Sequence, residues 1–366
     1  MVATRHSTPS AVSKTTFTIS GILTTVYGLD ELAPSVTDVA CLWLLHPRLK
    51  THSSMEQVAA PVIERWNAQS SQDKKPLGRA ASGLIAVSFD QRNHGTREVS
   101  AQANEAWRGG NPTHAQDMFS VYHGTAKDTS ILLDYLAAYV FPLSERTITT
   151  NLALGISLGG HAVWQLLVHE ARITTGVVII GCPNFTRLML DRAAKSKLQT
   201  WTSSQPPGAS FIGSSDLPDT LVKVIEEQDP AAILFRSAEA AARADPTQFP
   251  LDEIEPILPL LAKYLGGKRI LNLAGRDDKL VPYDCSKTFL QLLNASVERK
   301  RGSSSDGDIL ITDKVYEGVG HSMSAAMLED AIEFLCVALR QNDGGALRAS
   351  STQGSERSHD RRGSRM

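Results

Sequence analysis

Between residues 39 and 183 the chain repeats one rhythm, a short unbroken apolar run followed by a segment with apolar residues at helical spacing. The runs are VACLWLLHP (39–47), GLIAVSFD (83–90), TITTNLALGI (147–156) and TGVVIIGCP (175–183). Apolar runs without in–out alternation are what strands covered on both faces require. Helical segments follow at about 54–67, where Pro61 is expected to kink or divide the helix, at 114–140 and at about 158–170. This β-then-α order predicts a mostly parallel central sheet with helices on both faces. Two β-branched segments, TTFTISG (15–21) and LTTVYGL (23–29), come before it and read as short strands separated by Gly21.

The rhythm stops after the fourth run. From about 187 to 265 the sequence offers helices and loops and no convincing strand, with Asp229-Pro230 as an N-cap before an N1 proline and Gly266-Gly267 as a stop. Alternation resumes with RILNLAG (269–275), a helix over 285–300, the strand DILITDKVYEG (308–318) and a last helix over about 323–340. The chain thus divides into a flexible N-terminus (1–14), a core built from 15–187 and 266–340, a helical lid insertion (188–265) and a disordered tail (341–366) poor in apolar residues.

Composition narrows the function. A net charge of −2 gives no long-range field to draw nucleic acid or an anionic membrane surface. No apolar segment reaches bilayer length, so no membrane span is expected. The opening residues MVATRHSTPSAVSK lack the apolar stretch of a secretory signal. Cys41, Cys182, Cys285 and Cys336 lie in apolar stretches without metal-ligand spacing, and read as buried thiols of a reducing compartment. A cytoplasmic protein is expected, or a peroxisomal one if the small-basic-apolar ending Ser364-Arg365-Met366 acts as an import signal. Neither a metal nor a cofactor is implied, and oligomeric state is not indicated.

The chemistry gathers at the strand ends. Ser157 stands in G-I-S-L-G (155–159), after a strand and before a helix, where a sharp turn projects a hydroxyl beside a helix N-terminus. The Leu158 N–H is then one donor for an oxyanion. A serine needs a base to take its proton. Of ten histidines, His6 and His359 fall in the tails and His114, His123 and His169 on helices, whereas His321 follows the last strand between glycines in VYEGVGHSM. The imidazole needs an acid, and GRDDKLVP (275–282) ends a strand with two candidates, Asp278 favoured by pattern and Asp277 the alternative.

These pieces resemble the α/β-hydrolase superfamily across 15–187 and 266–340: L-L-H-P (44–47), D-Q-R-N-H-G (90–95), G-I-S-L-G-G (155–160), G-R-D-D-K-L-V-P (275–282) and V-G-H-S (319–322). The order Ser157, Asp278, His321 is that of the superfamily. The resemblance implies an α/β-hydrolase fold with a helical lid, and a serine nucleophile that forms an acyl-enzyme. The expected reaction is hydrolysis of an ester or thioester of a small, partly apolar substrate. An acyl-CoA thioesterase, an acyltransferase and a non-catalytic ligand-binding member of the fold are the alternatives. Two positions depart from the superfamily pattern. Pro47 stands where a glycine is usual and has no N–H, which moves the second oxyanion donor to Arg48 or a neighbour, and Asn93 replaces a glycine. Asp90 and Arg92 are expected to pin turns, and Cys182 to be a packed thiol. Trp201, Phe211, Phe235 and Phe249 are expected to pack inside the lid, which favours a substrate with an apolar portion.

Overall fold

The computed structural model of the chain describes residues 12–72, 83–243, 255–300 and 308–356. Its strands are β1 Lys14–Ile19, β2 Ile22–Tyr27, β3 Asp38–Leu45, β4 Gly83–Phe89, β5 Thr147–Ile156, β6 Ile173–Ile179, β7 Arg269–Gly275 and β8 Leu310–Tyr316. They form one eight-stranded sheet in the order β1-β2-β4-β3-β5-β6-β7-β8. β2 pairs antiparallel with both β1 and β4, and every other pairing is parallel.

β3 shows why its sequence is apolar throughout. Successive side chains of a strand point to opposite faces, and here both faces are covered. Cys41, Trp43 and Leu45 pack on one side with the helices α2 His114–Val140 and α3 Leu158–His169. Ala40, Leu42 and Leu44 pack on the other with α1 Glu56–Gln72 and the C-terminal helix Ala325–Glu356. The edge strands β1 and β8 are instead partly exposed along their length.

Between β6 and β7 the described elements are all helical: α4 Phe185–Ser196, α5 Gln199–Thr202, α6 Asp219–Gln228, α7 Pro230–Phe235, α8 Ala238–Arg243 and α9 Leu258–Leu265. Asp229 caps α7, its carboxylate accepting from the Ala232 N–H at 3.2 Å, with Pro230 at the first helical position. Phe211 is fully buried here, Trp201 and Phe235 pack against the core cluster, and Phe249 lies outside the described residues. After β7 come α10 Asp284–Lys300, β8 and α11 Ala325–Glu356.

Two elements differ from the sequence expectation. α1 runs unbroken through Pro61. The proline removes one ladder hydrogen bond, but Val58, Ala59, Val62 and Ile63 around it are fully buried, and their packing holds the helix together. The last helix continues past residue 340 to Glu356, through helix formers such as Ala346, Leu347 and Arg348. Residues 357–366, with Ser364-Arg365-Met366, lie outside the described residues. No described helix is long and apolar enough to cross a membrane.

Candidate active site

The turn from β5 into α3 is set by backbone contacts. Ser157 sits between the two elements with φ 53° and ψ −111°, a conformation that a side-chain-bearing residue adopts only under strain, at a cost of about 1–3 kcal/mol. The glycines on either side make it possible. A Cβ on Gly155 would stand 2.1 Å from the Gly159 carbonyl oxygen, and one on Gly159 would stand 2.0 Å from the Leu45 carbonyl oxygen. The Ser157 N–H donates to the Ile179 carbonyl at 2.9 Å, which ties the turn to β6. The Ser157 hydroxyl does not cap α3. It lies 2.8 Å from His321 Nε2 instead.

His321 hangs on the loop after β8, which is laid against the end of β7. The Arg276 N–H donates to the Tyr316 carbonyl at 2.9 Å and the Asp277 N–H to the Val319 carbonyl at 3.0 Å. The next residue, Asp278, is buried, and its Oδ1 accepts from the Leu280 and Val281 N–H groups at 2.9 Å each. Its Oδ2 lies 2.7 Å from His321 Nδ1. An ionised carboxylate can only accept, so Nδ1 carries the imidazole proton and Nε2 is the acceptor facing the Ser157 hydroxyl. Asp277, the alternative acid, is exposed and meets this loop through its backbone. The carboxylate that orients His321 is that of Asp278.

Ser157 and His321 line a cavity of about 400 Å³ together with Leu158, Pro47, Arg48 and His161. The segment carrying Pro47 and Arg48 is held from below by His46. Burial lowers the His46 pKa to about 4 and keeps the ring neutral. Its Nε2 accepts from the Gln91 N–H at 2.9 Å while Nδ1 donates to the Pro47 carbonyl at 2.8 Å. The Arg48 guanidinium donates to the Asn104 carbonyl at 2.8 Å and is half-buried.

The loop after β4 is scaffolding, as its sequence suggests. Asp90 accepts from His52 Nδ1 at 3.0 Å and the His52 N–H at 2.8 Å, and from the Thr96 N–H and hydroxyl at 2.8 and 2.9 Å, and these bonds hold its carboxyl well below the usual range. Arg92 grips Asp128 on α2 with two hydrogen bonds at 3.0 and 2.8 Å. Asn93 takes φ 58°, a left-handed conformation that asparagine tolerates where glycine is the alternative. Cys182 is buried, and that burial pushes its thiol up to about 12, which makes it a packed group rather than a nucleophile.

No family model matches the sequence, and no curated protein matches it. Solved structures do. TT1662 from Thermus thermophilus is similar over 90% of this chain and 98% of its own, at 17% identity and a TM-score of 0.50. The Pyrococcus furiosus esterase Pf2001 is matched at 12% identity over 88% of this chain and 91% of its own, with a TM-score of 0.42. For the Pyrococcus horikoshii acylaminoacyl peptidase the figures are 12%, 89% of this chain but 41% of the peptidase, and 0.47. The strand order and the likeness to TT1662 settle the architecture. The chain has the α/β-hydrolase fold.

Within this fold two cavity residues escape a reading of the sequence. His161 is buried one helical turn beyond Ser157, with Nδ1 3.0 Å from both the N and O of Cys182 and, among the described residues, no hydrogen-bond partner for Nε2. Burial lowers its pKa to about 3, so the ring is neutral. The spacing of four from Ser157 on a helix was the available signal. Arg192, on α4 of the α/β-hydrolase insertion, also lines the cavity, and nothing in its local sequence marks it.

Proposed function

We propose that the chain is a serine hydrolase that cleaves an ester or thioester bond of a small, partly apolar substrate. The observation that carries this reading is the hydrogen-bonded series Ser157–His321–Asp278 opening on the cavity. In the proposed reaction His321 Nε2 takes the Ser157 proton as Oγ attacks the acyl carbon. The positive charge that forms on the imidazole is stabilised by the Asp278 carboxylate. The oxyanion is held by the Leu158 N–H, which as the first residue of α3 lacks an intrahelical acceptor, and by a donor near Arg48. His321 then protonates the leaving group, and water attacks the acyl-enzyme by the same route in reverse. Leu158, Met118, Leu280 and Met323 give the cavity the apolar wall that an acyl chain needs. The helical insertion acts as a lid over it.

Ser157→Ala is expected to lower kcat/KM on short-chain 4-nitrophenyl esters by at least about a thousandfold while the melting temperature stays within a few degrees. Retained turnover would refute the assignment.

A further inference from the structure

Two arginines that form no ion pair among the described residues, Arg48 and Arg192, line the Ser157 cavity. Arg192 donates through Nη2 to the Leu280 carbonyl at 3.2 Å, and its Nη1 lies 3.0 Å from His114 Nε2 and 2.9 Å from Met118 Sδ. Every one of these partners is neutral, His114 because burial lowers its pKa to about 3. Arg48 is held by the neutral Asn104 carbonyl. Among the described residues neither arginine forms an ion pair, and the neighbouring Asp191 carboxylate is taken by Lys195 at 2.7 Å. Glu105 attracts Arg48 without reaching ion-pair distance.

The two guanidiniums also feel each other: burial and the nearby Arg48 bring Arg192 down to about 10. A half-buried cation without a carboxylate costs stability, and two within electrostatic range cost more. Arg48, Arg192 and Leu280 form the common wall of the Ser157 cavity and a second cavity of about 370 Å³, which is further lined by Trp107, Arg108 and Lys279. Among the described residues no acidic side chain lines either one. Guanidinium forks match carboxylate and phosphate oxygens, so an anion in this place would restore the missing counter-charge.

We propose that Arg48 and Arg192 form an anion site, which binds a carboxylate or phosphate group at the far end of the substrate cleaved at Ser157. The substrate then combines an apolar acyl segment with a negative end, and selection among esters falls to the second cavity. This rests on the hydrolase reading above, and its test separates the two.

Two matched pairs of substrates decide it: 4-nitrophenyl butyrate against mono-4-nitrophenyl glutarate, and S-butyryl-N-acetylcysteamine against butyryl-coenzyme A. In at least one pair the anionic member is expected to have a kcat/KM higher by about tenfold or more. Arg192→Met should bring that ratio towards one, and Arg192→Lys should recover part of it. Preference for the glutarate ester identifies a carboxylate, and preference for the coenzyme A thioester a phosphate. Ratios near one in both pairs, or a ratio that Arg192→Met does not move, overturn the proposal. If no substrate turns over, the role of Ser157 fails, and titration calorimetry on the full chain still decides the anion site. Glutarate or inorganic phosphate should bind, and bind at least about tenfold more weakly to Arg192→Met. No binding of either overturns the proposal.

Discussion

The turn at Ser157 and the helical insertion after β6 are held in place by different means. Ser157 is fixed by backbone meeting backbone: Gly155 against Gly159, Gly159 against Leu45, and the Ser157 N–H on Ile179. The insertion is built from helices as short as Gln199–Thr202 and is tied by side chains reaching for backbone groups. Asn184 donates to the Ala241 carbonyl at 2.8 Å, Arg187 to the Ala242 carbonyl at 2.7 Å, and Asp229 accepts from the Phe185 N–H at 3.1 Å. Backbone contacts at the steric limit allow one arrangement, whereas side-chain ties can be exchanged one at a time. In the proposed reaction, chemistry belongs to the rigid part and selection to the insertion.

The hardest blow to the rigid part is electrostatic. Asp278→Asn keeps the shape but reverses the hydrogen-bond demand on His321 Nδ1, and kcat is expected to fall by about ten-thousandfold with little change in stability. A fall of less than about tenfold in ester hydrolysis would mean that Asp278 does not orient the base. Next comes the backbone itself. Gly159→Ala drives a Cβ to within 2.0 Å of the Leu45 carbonyl oxygen, and a loss of about 3 kcal/mol is expected, read as a melting temperature lowered by several degrees together with lost activity. If this variant melts and turns over like the parent, backbone contact does not fix the turn. The Arg192 substitutions are the matching perturbation on the insertion side, with an effect about tenfold in size and confined to the ratio between substrates.

The smallest expected effect separates the insertion from the core by pH. Burial pushes Asp229 up to about 7. Above about pH 4 the unfolded chain has lost this proton while the folded chain keeps it up to about pH 7, so folding takes up a proton and this residue costs increasing stability as pH rises through that window. Asp229→Asn is neutral at every pH but sets an amide NH2 against one of the N–H groups of Phe185 and Ala232, a cost independent of pH. Relative to the parent, its melting temperature should therefore rise by a few degrees between pH 4 and pH 8. An equal difference at both pH values would show that Asp229 is not held protonated.

The same division explains what could be read from the sequence. The apolar runs of β3 and β4 announced a sheet covered on both faces because burial on two sides leaves no room for alternation. That Ser157, Asp278 and His321 come together was legible because each stands at or just past the end of a strand, where parallel topology gathers side chains from distant positions. The sequence favoured Asp278 over Asp277 by pattern alone, and the paired N–H groups of Leu280 and Val281 show why its carboxylate turns inward. Pro61 does not divide α1, because packing around it outweighs one missing hydrogen bond. Arg192 was invisible for a different reason. A single cation on an amphipathic helix is ordinarily a solvated one, and only the fold of the insertion reveals that this arginine lines the same cavity as Arg48 and Ser157.

The central claim is that Ser157 is a nucleophile activated by His321, and covalent trapping tests it most directly. A fluorophosphonate reacts with a serine only when the hydroxyl is activated and a phosphoryl oxygen can be held as the oxyanion. Incubation of the full chain followed by peptide mass spectrometry should place one adduct on the peptide containing Ser157. Ser157→Ala should give none, and His321→Ala should react at least about a hundredfold more slowly. A folded protein that takes up no probe, or carries it on a residue other than Ser157, would contradict the account.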